Sequence, residues 1–415
     1  MLRRQLGLFA LGISFFPETV LPQNRVSQSV LGAGPVWLGF GLNGSANQDR
    51  FSLTRDYVKK IKRQGELSNI SSFDWYRDSL NNIVKNNQNA NLQFKNSIEI
   101  GQDLLAGFVH DYETIVACRL EKNGSNANQI LVFMSGVGLM LAYEKSSGWR
   151  IASSFPFMMR YEFLENDLTN HREKAIGHWG EVYRNYGQAY VSFLNQNSKK
   201  DNRYNVNYFA RLVKSEIHKD AYTKLRTISI EKFFNNELVG FSTSSAICEN
   251  LNIPLLPYRE NDALAKRYSV RFTDDLRVQD GVEIPDADLR FEIIIRDVDK
   301  ELIPNMQKGI TTIRRTLIIN FKIFAVDFSS GAAVQVFQTI AYADPDEDKV
   351  PFNSKDEDVP DRDIVFYDRL LTRTLNFLFK GIKSNNAELL AKANVRYEKV
   401  SDMIPKVLEL CSKTR

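Results

Sequence analysis

The chain has 415 residues, 43% of them hydrophobic and 25% charged, with 54 basic side chains against 50 acidic ones and a net charge of +4. That length predicts two or three domains rather than one core, and the near balance of charge argues against a dedicated nucleic-acid binder, whose affinity comes from neutralising phosphates. Three scattered cysteines, Cys118, Cys248 and Cys411, form no CxxC pair; they argue against a disulfide framework or a zinc knuckle and read as small buried thiols, with one bridge left open.

Arg3 and Arg4 precede an apolar run from Leu6 to Phe16. This matches the charged and apolar regions of a secretory signal and is too short to span a bilayer. Residues 1–29 are therefore expected to be a signal peptide, with a buried N-terminal segment as the alternative. Ser27 and Ser29 offer a small-residue cleavage pattern, and the lack of a cysteine after the run speaks against a lipoprotein signal. No later stretch reaches 18 uninterrupted apolar residues, so no membrane-spanning helix is expected in the mature chain.

Residues 30–48 are rich in Gly, Asn and Ser and predict a loop or an irregular strand. Helices are expected over 52–64 and 71–87, the second carrying Phe73, Trp75, Tyr76, Leu80 and Ile83. From 103 the period changes to two. Phe108, Tyr112, Val116, Cys118 and Leu120 are expected on one face of a strand, with Asp111, Glu113, Arg119 and Glu121 on the other. Asn123-Gly124 turns into a strand over 130–144, and Ser146-Ser147-Gly148 turns into a third over 149–163. Pro156 marks that third strand as an edge or a bulge. Asn170 with Glu173 predicts a capping box for a helix whose stripe includes Ile176, Trp179, Val182 and Tyr183.

The polar run 195–204 predicts a domain boundary. Beyond it a strand is expected at 225–234, a helix near 241–252, and strands near 267–273, 288–298, 312–328 and 332–343. An acidic loop leads to an amphipathic helix near 364–383 carrying Phe366, Leu370, Leu371, Leu375, Leu378 and Ile382. A last helical stretch over 386–412 should break near Pro405.

The two halves share a layout. Asp103-Leu104 opens the first meander and Asp288-Leu289 opens the second, 185 residues on; LAYEKSSGWRI and FAVDFSSGAAV place Ser-Ser-Gly at the same turn. Each unit reads as an antiparallel meander followed by one long amphipathic helix, which must bury the apolar sheet face. The expected fold class is α+β, with tandem two-layer α/β sandwich domains at 30–200 and 201–385 and a C-terminal helical segment at 386–415. The second face of each sheet is expected to be solvated or to meet a partner.

LRTISIEKFFNN (Leu225–Asn236), ADLRFEIIIRDVDK and FAVDFSSGAAVQVFQ follow in the order of a known pattern, and DLLAGFVHDYE, with Gly107, and YEKSSGWRI repeat part of it. In that order they resemble the domain shared by CsgG-type and LpoB-type envelope assembly proteins and the N-terminal domain of TolB, over about half of the chain. Similar domains stack in tandem in periplasmic flagellar-motor ring proteins. The second unit departs from the pattern, having Glu292 or a neighbour in place of the glycine. The resemblance implies an exported scaffold or assembly protein, periplasmic or associated with the outer membrane, that works through contacts with other envelope proteins or by self-assembly. An enzyme of unrecognised type and a cytosolic binding module are the alternatives.

No catalytic, cofactor-binding or metal site is assigned from the motifs. Gly136-Val137-Gly138 lacks a third glycine at the required spacing, and no GxxxxGK[ST] occurs. Ser135 has Phe133 two residues before it, so it is no nucleophile elbow. His110 and His218 lie beside no nucleophile in sequence. His171 and His178 are two helical turns apart, about 10 Å along the axis, too far for one zinc ion. Asp344-x-Asp346-x-Asp348 resembles the start of a calcium loop, but Lys349 replaces the turn glycine and Lys355 the bidentate Glu. These three, with Asp356 and Asp358, are kept as a cation or basic-partner loop, and a solvated acidic loop is the plainer expectation. The basic cluster 59–63 reads as a solvated helix face or as a contact for anionic lipid or protein.

Overall fold

The computed structural model describes residues 36–43, 51–63, 105–122, 125–144, 148–165, 167, 169–198, 208–259, 267–268, 270–272, 282–327, 329–352 and 362–414. The expected signal peptide, the helix over 71–87, and Asp356 and Asp358 lie outside them. The fold is α+β, with two sheets and seven helices among the described residues. None of these helices is long and apolar enough to cross a membrane.

The first sheet is built on the expected meander. β2 (Leu105–Lys122), β3 (Ser125–Glu144) and β4 (Gly148–Glu165) pair antiparallel, and β1 (Val36–Asn43) lies parallel to β2. α1 (Ser52–Arg63) follows β1, and α2 (His171–Ser198) follows the meander. The second sheet repeats this arrangement. β5 (Ala210–Ile217) lies parallel to β9 (Leu289–Asn305), which pairs antiparallel with β10 (Ile310–Val326), which pairs in turn with β11 (Ala333–Ala341). α3 (Lys219–Thr227) and α4 (Asn236–Leu251) follow β5, and α5 (Arg362–Ser384) comes after the meander.

The likeness extends to the irregularities. One extra residue interrupts the ladder at Asp111 on β2 and at Arg296 on β9, again 185 residues apart. A second pair falls at Ala152 on β4 and Val336 on β11, and a third at Leu38 on β1 and Val213 on β5. The glycine of each Ser-Ser-Gly sequence lies in the left-handed region, Gly148 at φ 83° and Gly331 at φ 69°, where a Cβ would be strained.

The bulge at Asp111 corrects the expected strand face. An extra residue reverses the side-chain alternation beyond it. Phe108 therefore packs with Leu53, Val132, Met134, Ile176, Trp179 and Val182 under α1 and α2, while Tyr112, Val116 and Cys118 pack on the opposite face with Leu131, Phe133 and Met158. That opposite face is not solvated. It meets α4, whose side chains are buried almost all round between the two sheets. A helix is expected near 241–252, but with no amphipathic stripe its sequence does not show that both sides are buried.

The expected strand at 225–234 is also corrected. Leu225 belongs to α3, packed four residues from buried Ala221, and Ile230 and Phe234 enter the core from the turns that follow. His218 caps α3, its Nδ1 accepting from Asp220 N at 3.4 Å. Asn170 does not form the expected capping box. Its φ of 53° is left-handed, whereas that cap needs an extended residue. Pro405 opens α7 (Ile404–Lys413) rather than breaking a helix, because the first turn needs no donor from it. α6 (Ala387–Lys392) and α7 pack into the core of the second sheet through Leu390, Ile404, Val407 and Cys411.

Residues beyond α4 cross to the first sheet. β7 (Val270–Phe272) pairs with β1 at one end, and β8 (Val282–Glu283), extended by β6 (Arg267–Tyr268), pairs with β4 at the other. The order is β6-β8-β4-β3-β2-β1-β7, so a segment read as part of the second unit adds a strand at each edge of the first, on β4 at Arg150 alone. Pro156 stands on β4 where, among the described residues, no strand lies outside it; nearby, Met158 N donates to Ser245 Oγ at 3.0 Å and Ser154 O accepts from Leu255 N at 2.9 Å.

Candidate functional site

The acidic stretch turns out to be half strand. β12 (Asp346–Pro351) pairs antiparallel with the first residues of β10, in line with β11 along the same side. Alternation sends Asp346 and Asp348 toward α5 and Glu347 to the other face. There Arg314, opposite Glu347 in register, donates to it at 3.0 Å. Arg362 pairs with Asp348, and Arg369 Nε lies 3.6 Å from Asp346 Oδ2. Arg373 donates to the carbonyl of Asp344. A calcium loop gathers its oxygens around one point, whereas this backbone is extended and Asp346 and Asp348 face arginines.

The arginines come from one ridge of α5. Arg362, Phe366, Arg369 and Arg373 recur at four, three and four residues and so share a helix face. Phe366 is the centre: the guanidinium carbons of Arg315, Arg369 and Arg362 lie 4.1, 5.0 and 5.9 Å from its ring centroid, a cation–π arrangement. Arg315 is fully buried on β10, directly opposite Lys300 on β9. Two like charges in that position repel. Asp363, in the first turn of α5, bridges them, accepting from Arg315 Nε at 2.5 Å and Lys300 Nζ at 2.8 Å. Tyr367 donates to Asp299 O at 2.9 Å, and burial, with Asp363 nearby, holds its phenol far above the usual range.

This cluster lies in the outer third of a long hairpin, five residue pairs from the Ile310–Asn305 pair at its turn. β9 and β10 have 17 residues each, about three times the common strand length. The far end presents apolar side chains: Met306 is 79% exposed, Leu302 53% and Phe352 40%, with Phe352 N donating to Gly309 O at 3.0 Å. The arrangement is an arm with an apolar tip and a charge-matched cluster just behind it, where β12 adds a third strand.

The other singled-out residues do not converge. His110 is buried on β2 with its Nε2 3.1 Å from Glu113, whose carboxylate caps α1 by accepting from Leu53 N at 2.7 Å and Thr54 N at 3.1 Å. His171 opens α2, and His178 packs against Phe163, with tilted rings 4.5 Å apart. Ser135, Gly136 and Gly138 lie within β3, paired on both sides. Lys59 and Lys60 are exposed on α1. Cys118, Cys248 and Cys411 are not joined in disulfides, and burial pushes the thiol of Cys248 well up. Among the described residues no three His, Cys, Asp or Glu side chains are placed to hold a metal ion.

In comparisons with known proteins, no family model matches the chain. No curated protein and no solved structure matches it significantly. The arginine ridge was missed in the sequence because the helix was read for its leucines. The sign of it was available: R-x3-F-x2-R-x3-R beside a D-x-D of strand period.

Proposed function

We propose that this protein is a scaffold or assembly component of the cell envelope, exported and acting through contacts with other proteins. The observation that carries the reading is the arm. Its outer third is held to α5 by Asp363, Arg315, Lys300 and the Phe366 ridge, and its end offers Met306, Leu302 and Phe352 to a partner. Apolar anchors on a rigid support lose little freedom on binding, which is how small surfaces gain affinity. The signal-like N-terminus supports export, and the repeated unit supports the likeness to envelope assembly domains.

The test joins location to contact. The native cell is fractionated, the mature N-terminus is read by mass spectrometry, and a photo-crosslinking side chain is placed at Met306. Cleavage near residues 20–30, recovery outside the cytosol and a discrete crosslinked envelope protein are expected. An intact chain in the cytosol with no crosslink at Met306 would overturn the reading.

A further inference from the structure

One side of β10 is lined by two strands in series, and they differ in how they face the outside. β12 reads DEDKVP, with three acids, a lysine and a proline. Charges and prolines on an edge discourage another strand from pairing there. The kink between the strands is also occupied: Tyr342 N donates to Ala393 O at 3.0 Å, and Ala343 N donates to Thr374 Oγ1 at 3.0 Å. β11 reads AVQVFQTIA and carries no charge and no proline. It ends the sheet order β11-β10-β9-β5, and its side chains Val334 and Ile340 are 49% and 51% exposed.

The repeat supplies a precedent. β4 holds the corresponding place in the first sheet, and just past its Ser-Ser-Gly turn, at Arg150, it accepts the added strand β8. The corresponding start of β11, Ala333 to Gln335, is exposed. We propose that β11 is a self-pairing edge, along which two copies of this chain join antiparallel about a two-fold axis. A two-fold contact sets β11 against itself. With no charge on the strand, no register of that contact brings like charges opposite one another, and main-chain groups supply the bonds. The inference rests on the reading that the protein works through protein–protein contacts and names one partner for it.

A single nine-residue strand pair is small beside the roughly 1,600 Å2 of a standard interface, so the dimer should dissociate on dilution. Sedimentation of the full chain over a wide concentration range is expected to show a reversible monomer–dimer equilibrium. A Val334→Lys/Ile340→Lys variant, altered only at exposed positions, should weaken it by at least about tenfold with an unchanged thermal midpoint. A monomer at every concentration, or a variant that dimerises as well as the parent, overturns the proposal. Amide exchange on the unaltered chain is the independent check: protection over 333–341 should rise with concentration. Protection that appears only on adding cell extract assigns the edge to another protein and overturns self-pairing. A monomer that still crosslinks at Met306 sinks this proposal and leaves the scaffold reading standing; a dimer in the cytosol with no crosslink does the reverse.

Discussion

The two sheets share strand order, parallel first strand and matching bulges, yet they meet their surroundings differently. The first is covered on one face by α1 and α2 and on the other by α4 and Phe209, Leu256 and Tyr268, and has strands added at both ends. The second buries one face against α4 and α5 and leaves β11 and the end of the β9–β10 hairpin exposed. One topology thus yields an enclosed sheet and an open one, and the difference lies in what the connections contribute. The crossover of the second unit serves the first sheet, so the open features are concentrated on the second.

The largest expected effect tests the enclosed face. Trp179, on α2, is fully buried against the first sheet, and Trp179→Ala should cost about 4 kcal/mol in urea unfolding. Ile340→Ala on the open sheet should change stability by less than about 0.5 kcal/mol. Equal losses at both positions would erase the contrast. Next is the helix between the sheets. A Cβ on Gly240 would stand 2.1 Å from the Tyr258 ring, which is itself buried at the start of the crossing segment. Gly240→Ala should therefore cost about 3 kcal/mol by overpacking, part of it recovered by Tyr258→Ala in the double variant.

A smaller effect sharpens the seam. Arg160 on β4 donates to both oxygens of Asp368 on α5, at 2.5 and 2.8 Å, and to Ser242 Oγ on α4 at 3.0 Å. Arg160→Ala should cost about 2 kcal/mol, and a double-mutant cycle with Asp368→Ala should show coupling above about 1 kcal/mol. Additive losses would mean the seam holds without this pair. The smallest effect concerns pH. Burial raises the carboxyl of Asp288, at the start of β9, although Phe209 N donates to it at 2.7 Å. A raised folded value means the native state binds the proton more readily than the unfolded chain. Stability from this group therefore rises as pH falls through the raised value, and levels off below the ordinary value of about 3.9. Asp288→Asn, which keeps an acceptor for Phe209 N, should flatten that rise in midpoint-against-pH curves; an unchanged curve would remove Asp288 from the account.

Local pattern was a good guide wherever burial is one-sided. The three-stranded meanders, α5 and the glycine-ended turns each show their period or their turn chemistry in a few residues. The candidate site was half legible. The acidic residues stood out, but their strand and their arginines depended on pairing with β10 and on the neighbouring helix ridge.

What the sequence by itself determined is therefore the repeated unit: alternation for strands, a stripe for the helix that covers them, and Ser-Ser-Gly where the chain must turn with φ above zero. Only the tertiary structure decided where the connections go. β5 has eight residues with its first three buried, α4 is buried nearly all round, and β6, β7 and β8 have two or three residues each. The sequence pattern placed a helix near 241–252 and a strand near 267–273, but it showed neither β5 and β8 nor which sheet each segment joins, because that depends on partners distant in sequence. The same holds for the bulge at Asp111, where one residue without a ladder partner turned Phe108 and Tyr112 to opposite cores.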